Sequence, residues 1–223
     1  MNPGKEAGNW SDLVSQPMPW PTPGELKRAL RQPLPGQAAQ LWMAPRPRPM
    51  RSDNPGNLAA VLLLLYPGEG GWHFPLTLRG RSVANHQGQV SLPGGAREGR
   101  ESMAKTALRE TCEEVGIATE AVDILGKLTP LYVASSDFQV VPFVGFLPQR
   151  PDFHPNPEEV EQVLETPVAA LLDERNRVEE DWDFPDGRHL HVPYFLLHGH
   201  KVWGATAVIL GEFVWLLRRM ASP

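Results

Sequence analysis

The stretch G-A-R-E-G-R-E-S-M-A-K-T-A-L-R-E-T-C-E-E-V-G-I, residues 95–117, decides the fold of this 223-residue chain. The tripeptide P-G-G at 93–95 predicts a tight turn. A helix is expected to begin near Arg100 or Glu101 and to end at Gly116, a residue type that often follows the last helical turn. Apolar residues recur at helical spacing and predict a buried stripe made of Met103, Ala104, Ala107, Leu108, Cys112 and Val115.

The other side of this predicted helix carries closely spaced carboxylates. Glu110, Glu113 and Glu114 are three and four residues apart, so their side chains lie on neighbouring ridges. Like charges at this spacing destabilise a helix by roughly 0.2–0.5 kcal/mol per pair, and the negative end of the helix dipole acts in the same direction. A divalent cation reverses both effects, whereas the alternative is a solvated acidic face without a ligand. Arg109 and Glu101 are predicted to hold the carboxylates in place.

The stretch resembles the Nudix box, G-x5-E-x7-R-E-U-x-E-E-x-G-U, in which U is a bulky aliphatic residue. The matching positions are Gly95, Glu101, Arg109, Glu110, Glu113, Glu114, Gly116 and Ile117. Thr111 takes the first aliphatic position, which we expect to loosen one core contact. The resemblance implies an α/β fold, an α/β/α sandwich with a mixed β-sheet between helices, and metal-dependent attack of water on a diphosphate. The implied ligands of Mg²⁺ or Mn²⁺ are Gly95, Glu110, Glu113 and Glu114.

A second motif lies directly upstream, in L-T-L-R-G-R-S-V-A-N-H-Q-G-Q-V-S-L-P-G-G, residues 76–95. It is similar to a motif of the coenzyme A diphosphatase branch of Nudix enzymes at Leu76, Thr77, Arg79, His86, Gly88, Gln89, Ser91, Pro93, Gly94 and Gly95. Ala84 departs from it, because that branch has an arginine suited to bidentate phosphate recognition there. Arg79, Arg81 or Arg97 could supply the charge instead. The expected substrate contacts are Arg79, Arg81, His86 and Gly94.

Apolar runs bounded by turn residues predict the rest of the sheet and its covering helices. The predicted strands are 57–66, 72–79, 122–128 and 138–147, with a hairpin through 68–71 and a second one turning at 186–187. The predicted short helices are 23–31 and 168–174. A last helix is expected to cover the sheet with Ile209, Phe213, Val214 and Leu217.

The acidic segment 156–165 has two interpretations. Runs of this kind are commonly a capped surface turn or the start of a helix. The resemblance implies instead a loop glutamate that binds a further metal ion or deprotonates the attacking water. Glu159 matches this role best, and Glu158 and Glu161 are the alternates.

Three other groups could carry chemistry but have simpler explanations. His189 and His191 are two residues apart, yet without a third ligand at suitable spacing they predict exposed or hydrogen-bonded histidines rather than a zinc site. Tyr194 could stack on an adenine, as could the next residue, Phe195, although core packing is the commoner fate of such rings. Cys112 is expected to be a small buried hydrophobe rather than a nucleophile.

Composition excludes several classes of protein. The net charge of −5 gives no basic surface for nucleic acid. One cysteine cannot form a disulfide within the chain, and we find neither an apolar run that would span a bilayer nor a secretory signal, so a cytoplasmic protein is expected. We predict a flexible proline-rich arm over 1–25, the Nudix domain over 26–217 and a tail over 218–223, in a monomer or homodimer.

The expected activity is hydrolysis of coenzyme A or its thioesters to 4′-phosphopantetheine and adenosine 3′,5′-bisphosphate. An alternative is a Nudix hydrolase for another nucleoside diphosphate such as NADH or ADP-ribose, for which Ala84 is the argument. A third hypothesis is a non-catalytic Nudix-like ligand-binding module, although such proteins usually lose acidic positions of the box. The predicted catalytic residues are Glu101, Arg109, Glu113, Glu114 and Glu159.

Overall fold

The computed structural model describes residues 20–46, 57–80 and 88–221. The helices in these ranges are α1 Pro23–Ala29, α2 Gln37–Gln40, α3 Met103–Val115, α4 Val168–Leu172 and α5 Gly204–Ala221, with one turn of 3₁₀ helix at Glu174–Asn176. The strands are β1 Asn57–Gly68, β2 Gly71–Arg79, β3 Val90–Ser91, β4 Gly94–Ala96, β5 Asp123–Lys127, β6 Leu131–Val133, β7 Phe138–Phe146, β8 Val160–Pro167, β9 Arg177–Asp183, β10 His189–Leu197 and β11 His200–Val202. None of the described helices is long and apolar enough to cross a membrane.

Strand β1 is the centre of an eight-stranded mixed sheet. It pairs in parallel with β7 and antiparallel with β2 and β4. Strand β3 and strand β8 pair with β2, while β5 and β6 pair with β7. The continuous apolar run of β1 therefore has both faces covered, as its sequence predicts.

Helices cover both faces of this sheet. Alternate β1 residues, represented by Leu62 and Leu64, pack with Ala107 and Val115 of α3. The intervening residues, such as Leu63, belong to the larger core that α5 completes. The predicted α/β/α sandwich with a mixed sheet is confirmed.

Helix α3 begins two residues later than the predicted start at Glu101. Ser102 is its N-cap, and its side chain accepts a hydrogen bond from the Lys105 amide. Gly116 ends the helix at a φ of 67°, the left-handed conformation expected there.

The predicted buried stripe of α3 is partly wrong. Cys112 is exposed, whereas Thr111 is fully buried and its hydroxyl donates to the Ala107 carbonyl at 2.7 Å. The helix meets the sheet through Ala107, Thr111 and Val115, which are spaced by four residues. The side of the predicted stripe that contains Cys112 therefore lies at the edge of this contact.

The P-G-G segment continues into a strand rather than turning directly into the helix. Gly94 to Ala96 form β4, which pairs with β1 from Ala59 to Val61. A Cβ atom at Gly94 would lie 2.3 Å from the Ala60 carbonyl oxygen, so this close pairing requires glycine.

The segment 156–165 forms a turn followed by β8, not a helix. Strand β8 pairs with β2 over most of its length, a long-range contact that supplies the buried environment for Val160 and Leu164. The second hairpin is confirmed, with β9 and β10 joined by a turn at 186–187 and with β11 completing a three-stranded sheet.

Both domain boundaries differ from the predicted ones. Residues 1–19 of the predicted arm lie outside the described residues, but Trp20 stacks on Trp72 with ring centroids 6.3 Å apart. Thr22 forms a capping box with Glu25 at the start of α1. Helix α5 continues to Ala221, past the predicted end of the domain at 217. Local capping and aromatic packing thus extend the folded unit before residue 26, and helix α5 extends it after residue 217.

Candidate active site

Arg109 is the centre of a carboxylate cluster at the end of α3. Its Nη2 atom donates to Glu101 at 2.9 Å and to the Ala96 carbonyl of β4 at 3.0 Å. Its Nη1 atom lies 2.9 Å from both Glu110 and Glu113. One guanidinium therefore ties the helix to β4 and holds three of the predicted site carboxylates together.

Glu101 is held by hydrogen bonds from other groups besides Arg109. It also accepts hydrogen bonds from the Thr106 hydroxyl and the Glu98 amide, each at 3.0 Å. The hydrogen bond from Arg109, followed by that from Glu98, lowers the pKa of Glu101 to about 2. The same contact raises the pKa of Arg109, so both groups remain charged at neutral pH.

Glu114 points into the protein rather than into solvent. Its side chain is only 5% exposed, and it accepts a hydrogen bond from the Gly94 amide at 3.3 Å. The nearest guanidinium atom is Nη1 of Arg79, at 3.9 Å. Burial raises the pKa of Glu114 to about 8, and the charges of Glu110 and Glu159 act in the same direction. Glu114 thus lacks the positive charge that its ionised form requires.

The metal-free protein is expected to lose stability as the pH rises from about 5 to 8. The pKa of Glu114 is raised in the folded state, so folding is favoured below the unfolded pKa and this contribution is lost as the pH rises through about 8. A loss on the order of a few kcal/mol follows from a shift of this size. Urea unfolding in the presence of a metal chelator, repeated across this pH range, measures the free energy of unfolding. Glu114→Gln should flatten the slope, whereas Glu120→Gln at an exposed turn should not; equal slopes in all three proteins would contradict the assignment.

Gly95 and Glu110 meet at the junction of β4 and α3. A Cβ atom at Gly95 would lie 2.4 Å from the Oε2 atom of Glu110, so glycine leaves the space that this carboxylate occupies. Burial raises the pKa of Glu110 despite Arg109, and Glu113 and Glu159 act in the same direction. Glu113 is 51% exposed and completes the acidic cluster on the solvent side.

Gly95→Ala is expected to weaken divalent-metal affinity by about 10–100-fold, because the methyl group displaces the Glu110 carboxylate. The protein should remain folded, since the displaced group is the end of a flexible side chain. Mn²⁺ titration by calorimetry measures the change. The matched control is Gly24→Ala, whose methyl group would meet only Arg28 at 3.9 Å; equal affinities in the two variants would argue against Glu110 as a ligand.

The loop before β8 is fastened to the end of α3. The amides of His154 and Asn156 donate to the carbonyls of Val115 and Glu114 at 2.9 and 3.0 Å. These bonds satisfy carbonyl groups that a helix end otherwise leaves open. They place Glu159 near the cluster, where its charge acts on both Glu110 and Glu114.

Glu159 is also the best placed of the three loop glutamates. Its carboxylate accepts a hydrogen bond from the Asn156 amide side chain at 3.3 Å, and its carbonyl accepts one from the Gly80 amide at 2.9 Å. Its charge raises the pKa of both Glu110 and Glu114. Glu159 thus lies in a surface turn, as one interpretation of the segment 156–165 predicted, and is also close to the acidic cluster, as the other predicted.

The predicted substrate contacts are only partly described. Arg79 and Gly94 lie beside Glu114, and the Nε atom of Arg79 is buried without a hydrogen-bond partner among the described residues. Arg81 and His86, together with Ala84, lie outside the described residues. Arg97 is exposed, and its amide donates to the Leu58 carbonyl at 2.8 Å.

A cavity of about 650 Å³ adjoins the cluster. Arg79 and the backbone of β4 line it at one end, and the N-terminus of α5 and the β9–β10 hairpin line it at the other. This second wall was not predicted from the sequence; it includes Phe184, Arg188 and Trp203. Its elements are distant in sequence from the Nudix box at 95–117.

The other candidate groups have structural roles. His191 lies 2.9 Å from both Glu179 and Asp181, and within the described ranges no three His, Cys, Asp or Glu residues form a group that could hold a metal ion. Tyr194 and Phe195 are buried in the protein. Asp137 lies in the turn between β6 and β7 and has a φ of 53°.

The acidic cluster has the donor atoms that a divalent cation requires, although its carboxylates are not arranged as a complete ligand shell. Glu110 and Glu114 both have a raised pKa, so both would gain from added positive charge. Glu113 supplies a third carboxylate. Carboxylate oxygens are the donors that Mg²⁺ and Mn²⁺ prefer.

Comparison with known proteins assigns the family. The NUDIX domain matches residues 56–188. The chain is 38% identical over 159 residues to "Nudix hydrolase 22, chloroplastic" of Arabidopsis thaliana, covering 68% of this chain and 52% of that protein. It is 34% identical over 174 residues to the "Uncharacterized Nudix hydrolase NudL" of Photorhabdus laumondii, covering 78% and 90%. It is 38% identical over 156 residues to "Mitochondrial coenzyme A diphosphatase NUDT8" of Homo sapiens, covering 68% and 65%.

The domain match and these relatives show a Nudix-type hydrolase, and the mixed sheet between helices is the fold expected for it. The chain belongs to the Nudix hydrolase family, whose members act on phosphoanhydride bonds of small nucleoside diphosphates and generally use divalent metal ions. It spans about half the length of the Arabidopsis relative.

Proposed function

We propose that the protein hydrolyses the diphosphate bond of coenzyme A or its thioesters to 4′-phosphopantetheine and adenosine 3′,5′-bisphosphate. The observation that carries this proposal is the acidic end of α3, which meets a cavity of about 650 Å³ through the backbone of β4. Support for coenzyme A comes from the motif at 76–95 and from the 38% identity to a human protein named as a coenzyme A diphosphatase.

Glu110, Glu113 and Glu114, with the carbonyl of Gly95, would hold Mg²⁺ or Mn²⁺ in this proposal. Such ions polarise phosphoryl oxygens, lower the pKa of a bound water molecule and neutralise the leaving phosphate. Arg109 positions the carboxylates through its contacts with Glu101, Glu110 and Glu113.

The remaining roles fall to residues around the cluster. Glu159 is the proposed base: it takes a proton from water as the new P–O bond forms and the bridging P–O bond breaks. Arg79 is the proposed contact of the diphosphate, because it lines the cavity and its Nε atom is buried without a hydrogen-bond partner among the described residues. The phosphate that is attacked gains the oxygen of water, and the other phosphate leaves with the bridging oxygen.

Ala84 is the observation that favours a second candidate function. The missing arginine removes a charge suited to the 3′-phosphate of coenzyme A, so a substrate without that phosphate, such as NADH or ADP-ribose, fits the sequence.

A substrate comparison tests these functions. Purified protein is incubated with Mg²⁺ or Mn²⁺ and separately with coenzyme A, dephospho-coenzyme A, NADH and ADP-ribose, and products are identified by mass. Fast release of phosphopantetheine from coenzyme A is expected. Fast cleavage of NADH or ADP-ribose beside slow coenzyme A turnover would favour the second function. Stabilisation by metal without turnover of any substrate would indicate a binding module.

The charge that replaces the missing arginine can be assigned in the same assay. Arg79→Ala, Arg81→Ala and Arg97→Ala are compared on coenzyme A and dephospho-coenzyme A. The residue that binds the 3′-phosphate should lose coenzyme A turnover while keeping that of dephospho-coenzyme A. Unchanged coenzyme A turnover in all three variants would refute compensation by these arginines.

A further inference from the structure

The cavity beside the acidic cluster has an aliphatic floor. It lies on the side of the sheet that faces α5, between strands β1 and β7 and the first turns of that helix. The floor is formed by Ala59, Val61, Val140, Ala205, Val208 and Ile209. These side chains offer neither a hydrogen-bond donor nor an acceptor, so a polar group placed on them would lose its contacts with water without replacement.

The wall opposite β4 is held rigid by aromatic packing. The ring of Trp203 lies 5.8 Å from that of Phe184 and 5.2 Å from that of Trp182, between centroids. Leu190 continues this wall toward the cavity. Because the rings pack against one another, the wall can keep its shape whether or not a ligand is present.

The charged groups are confined to the ends of the cavity. Arg79 lies where the cavity meets Glu114, and Arg188 is exposed on the hairpin and bonded to Asp186 at 2.7 Å. A substrate whose diphosphate lies near Arg79 would therefore extend from a charged region onto an apolar floor. This sequence of a charged region followed by an apolar one matches the acylated pantetheine half of the substrate better than the nucleotide half.

We propose that this cavity binds the pantetheine arm of the substrate together with its thioester acyl chain, so that the enzyme selects acyl derivatives over free coenzyme A. This inference rests on the proposed function. An alkyl chain needs no polar partner and gains affinity from burial on the aliphatic floor, whereas a purine and a phosphate would gain nothing there. The amide groups of the pantetheine arm do need polar partners, and the cavity lining offers the side chains of Gln89, Ser91, Tyr132, Ser135, Ser136 and Thr206. Each buried methylene raises affinity roughly fourfold, the equivalent of about 0.8 kcal/mol.

Binding of reaction products tests the inference without metal or turnover. S-acetyl-, S-butanoyl- and S-octanoyl-4′-phosphopantetheine are titrated into the metal-free protein by calorimetry, with adenosine 3′,5′-bisphosphate alongside. Affinity is expected to rise at least about tenfold from acetyl to octanoyl. Affinity independent of chain length would overturn the proposal.

Two substitutions in the cavity should move chain-length selection in opposite directions. Ala205→Leu narrows the floor and should weaken octanoyl binding at least about tenfold more than acetyl binding. Leu190→Ala removes side-chain volume from the wall, so the cavity becomes wider and binding should shift in favour of longer acyl chains. Ala121→Leu, at an exposed turn outside the cavity, is the matched control and should retain the wild-type series.

The outcomes separate this inference from the function on which it rests. If Ala205→Leu weakens adenosine 3′,5′-bisphosphate rather than the acyl compounds, the cavity holds the nucleotide and the inference is wrong. If coenzyme A yields phosphopantetheine but acyl length has no effect, the inference fails while the proposed function stands. If coenzyme A is not cleaved and no phosphopantetheine binds, both fail.

Discussion

Glu114→Gln is expected to reduce turnover by at least about a thousandfold while the protein stays folded. A bound divalent ion supplies several kcal/mol of charge stabilisation in the transition state, and about 4 kcal/mol corresponds to this factor. Glutamine keeps the shape of the side chain but removes the charge, and at 5% exposure the neutral amide is easier to bury than the carboxylate. Steady-state turnover of the best substrate, with circular dichroism of the same sample, measures both parts.

The control for this experiment is Glu120→Gln at an exposed turn. It changes the net charge by the same amount and should leave turnover within about twofold, because surface substitutions rarely act at a distance. Thermal unfolding without metal should show Glu114→Gln to be at least as stable as the wild type at pH 8. Near-normal turnover by folded Glu114→Gln would remove Glu114 from the metal site.

Glu212→Ala is expected to destabilise the protein by about 3–5 kcal/mol, the largest stability effect that we predict. Glu212 lies on α5 with no exposed surface. It accepts hydrogen bonds from the Gly36 amide at 3.0 Å and from the Thr129 amide and hydroxyl at 3.1 and 2.6 Å. The side chain of Gln40 adds a donor at 3.4 Å. Removing the carboxylate leaves these donors buried without an acceptor.

Urea unfolding of Glu212→Ala measures this loss, and a fall in Tm of roughly 10 °C or more is expected. Glu174→Ala is the matched control. Glu174 is 62% exposed, and its carboxylate lies 3.4 Å from the guanidinium of Arg218 on α5, the helix that carries Glu212. That variant should lie within about 1 kcal/mol of the wild type. A change in unfolding free energy below about 1 kcal/mol for Glu212→Ala would mean that water or a rearranged acceptor replaces the carboxylate.

The local parts of the site could be predicted from sequence because their residues are close along the chain. Glu110, Glu113 and Glu114 share one helix, and Arg109 reaches Glu101 across eight positions. The C-cap at Gly116 and the strand β1 were predictable for the same reason, since glycine chemistry and apolar runs act locally.

The parts that sequence reasoning missed depend on long-range contacts. Strand β8 alternates too weakly to be predicted alone, and its pairing with β2 decides its structure. Cys112 is apolar and well spaced, yet the packing of Ala107 and Val115 turns Thr111 toward the sheet, where its hydroxyl is satisfied by the Ala107 carbonyl. The raised pKa of Glu114 follows from burial that only the assembled fold creates.

The fastening of the 154–156 loop to α3 has a consequence for biosynthesis. The end of α3 is translated some forty residues before the amides of His154 and Asn156 that bond to its carbonyls. At roughly 5–20 residues per second, the emerging helix spends seconds without these two amides at its acidic end. Strand β2 waits longer still for β8. A chain released before residue 160 would therefore carry the whole Nudix box and still lack a formed site.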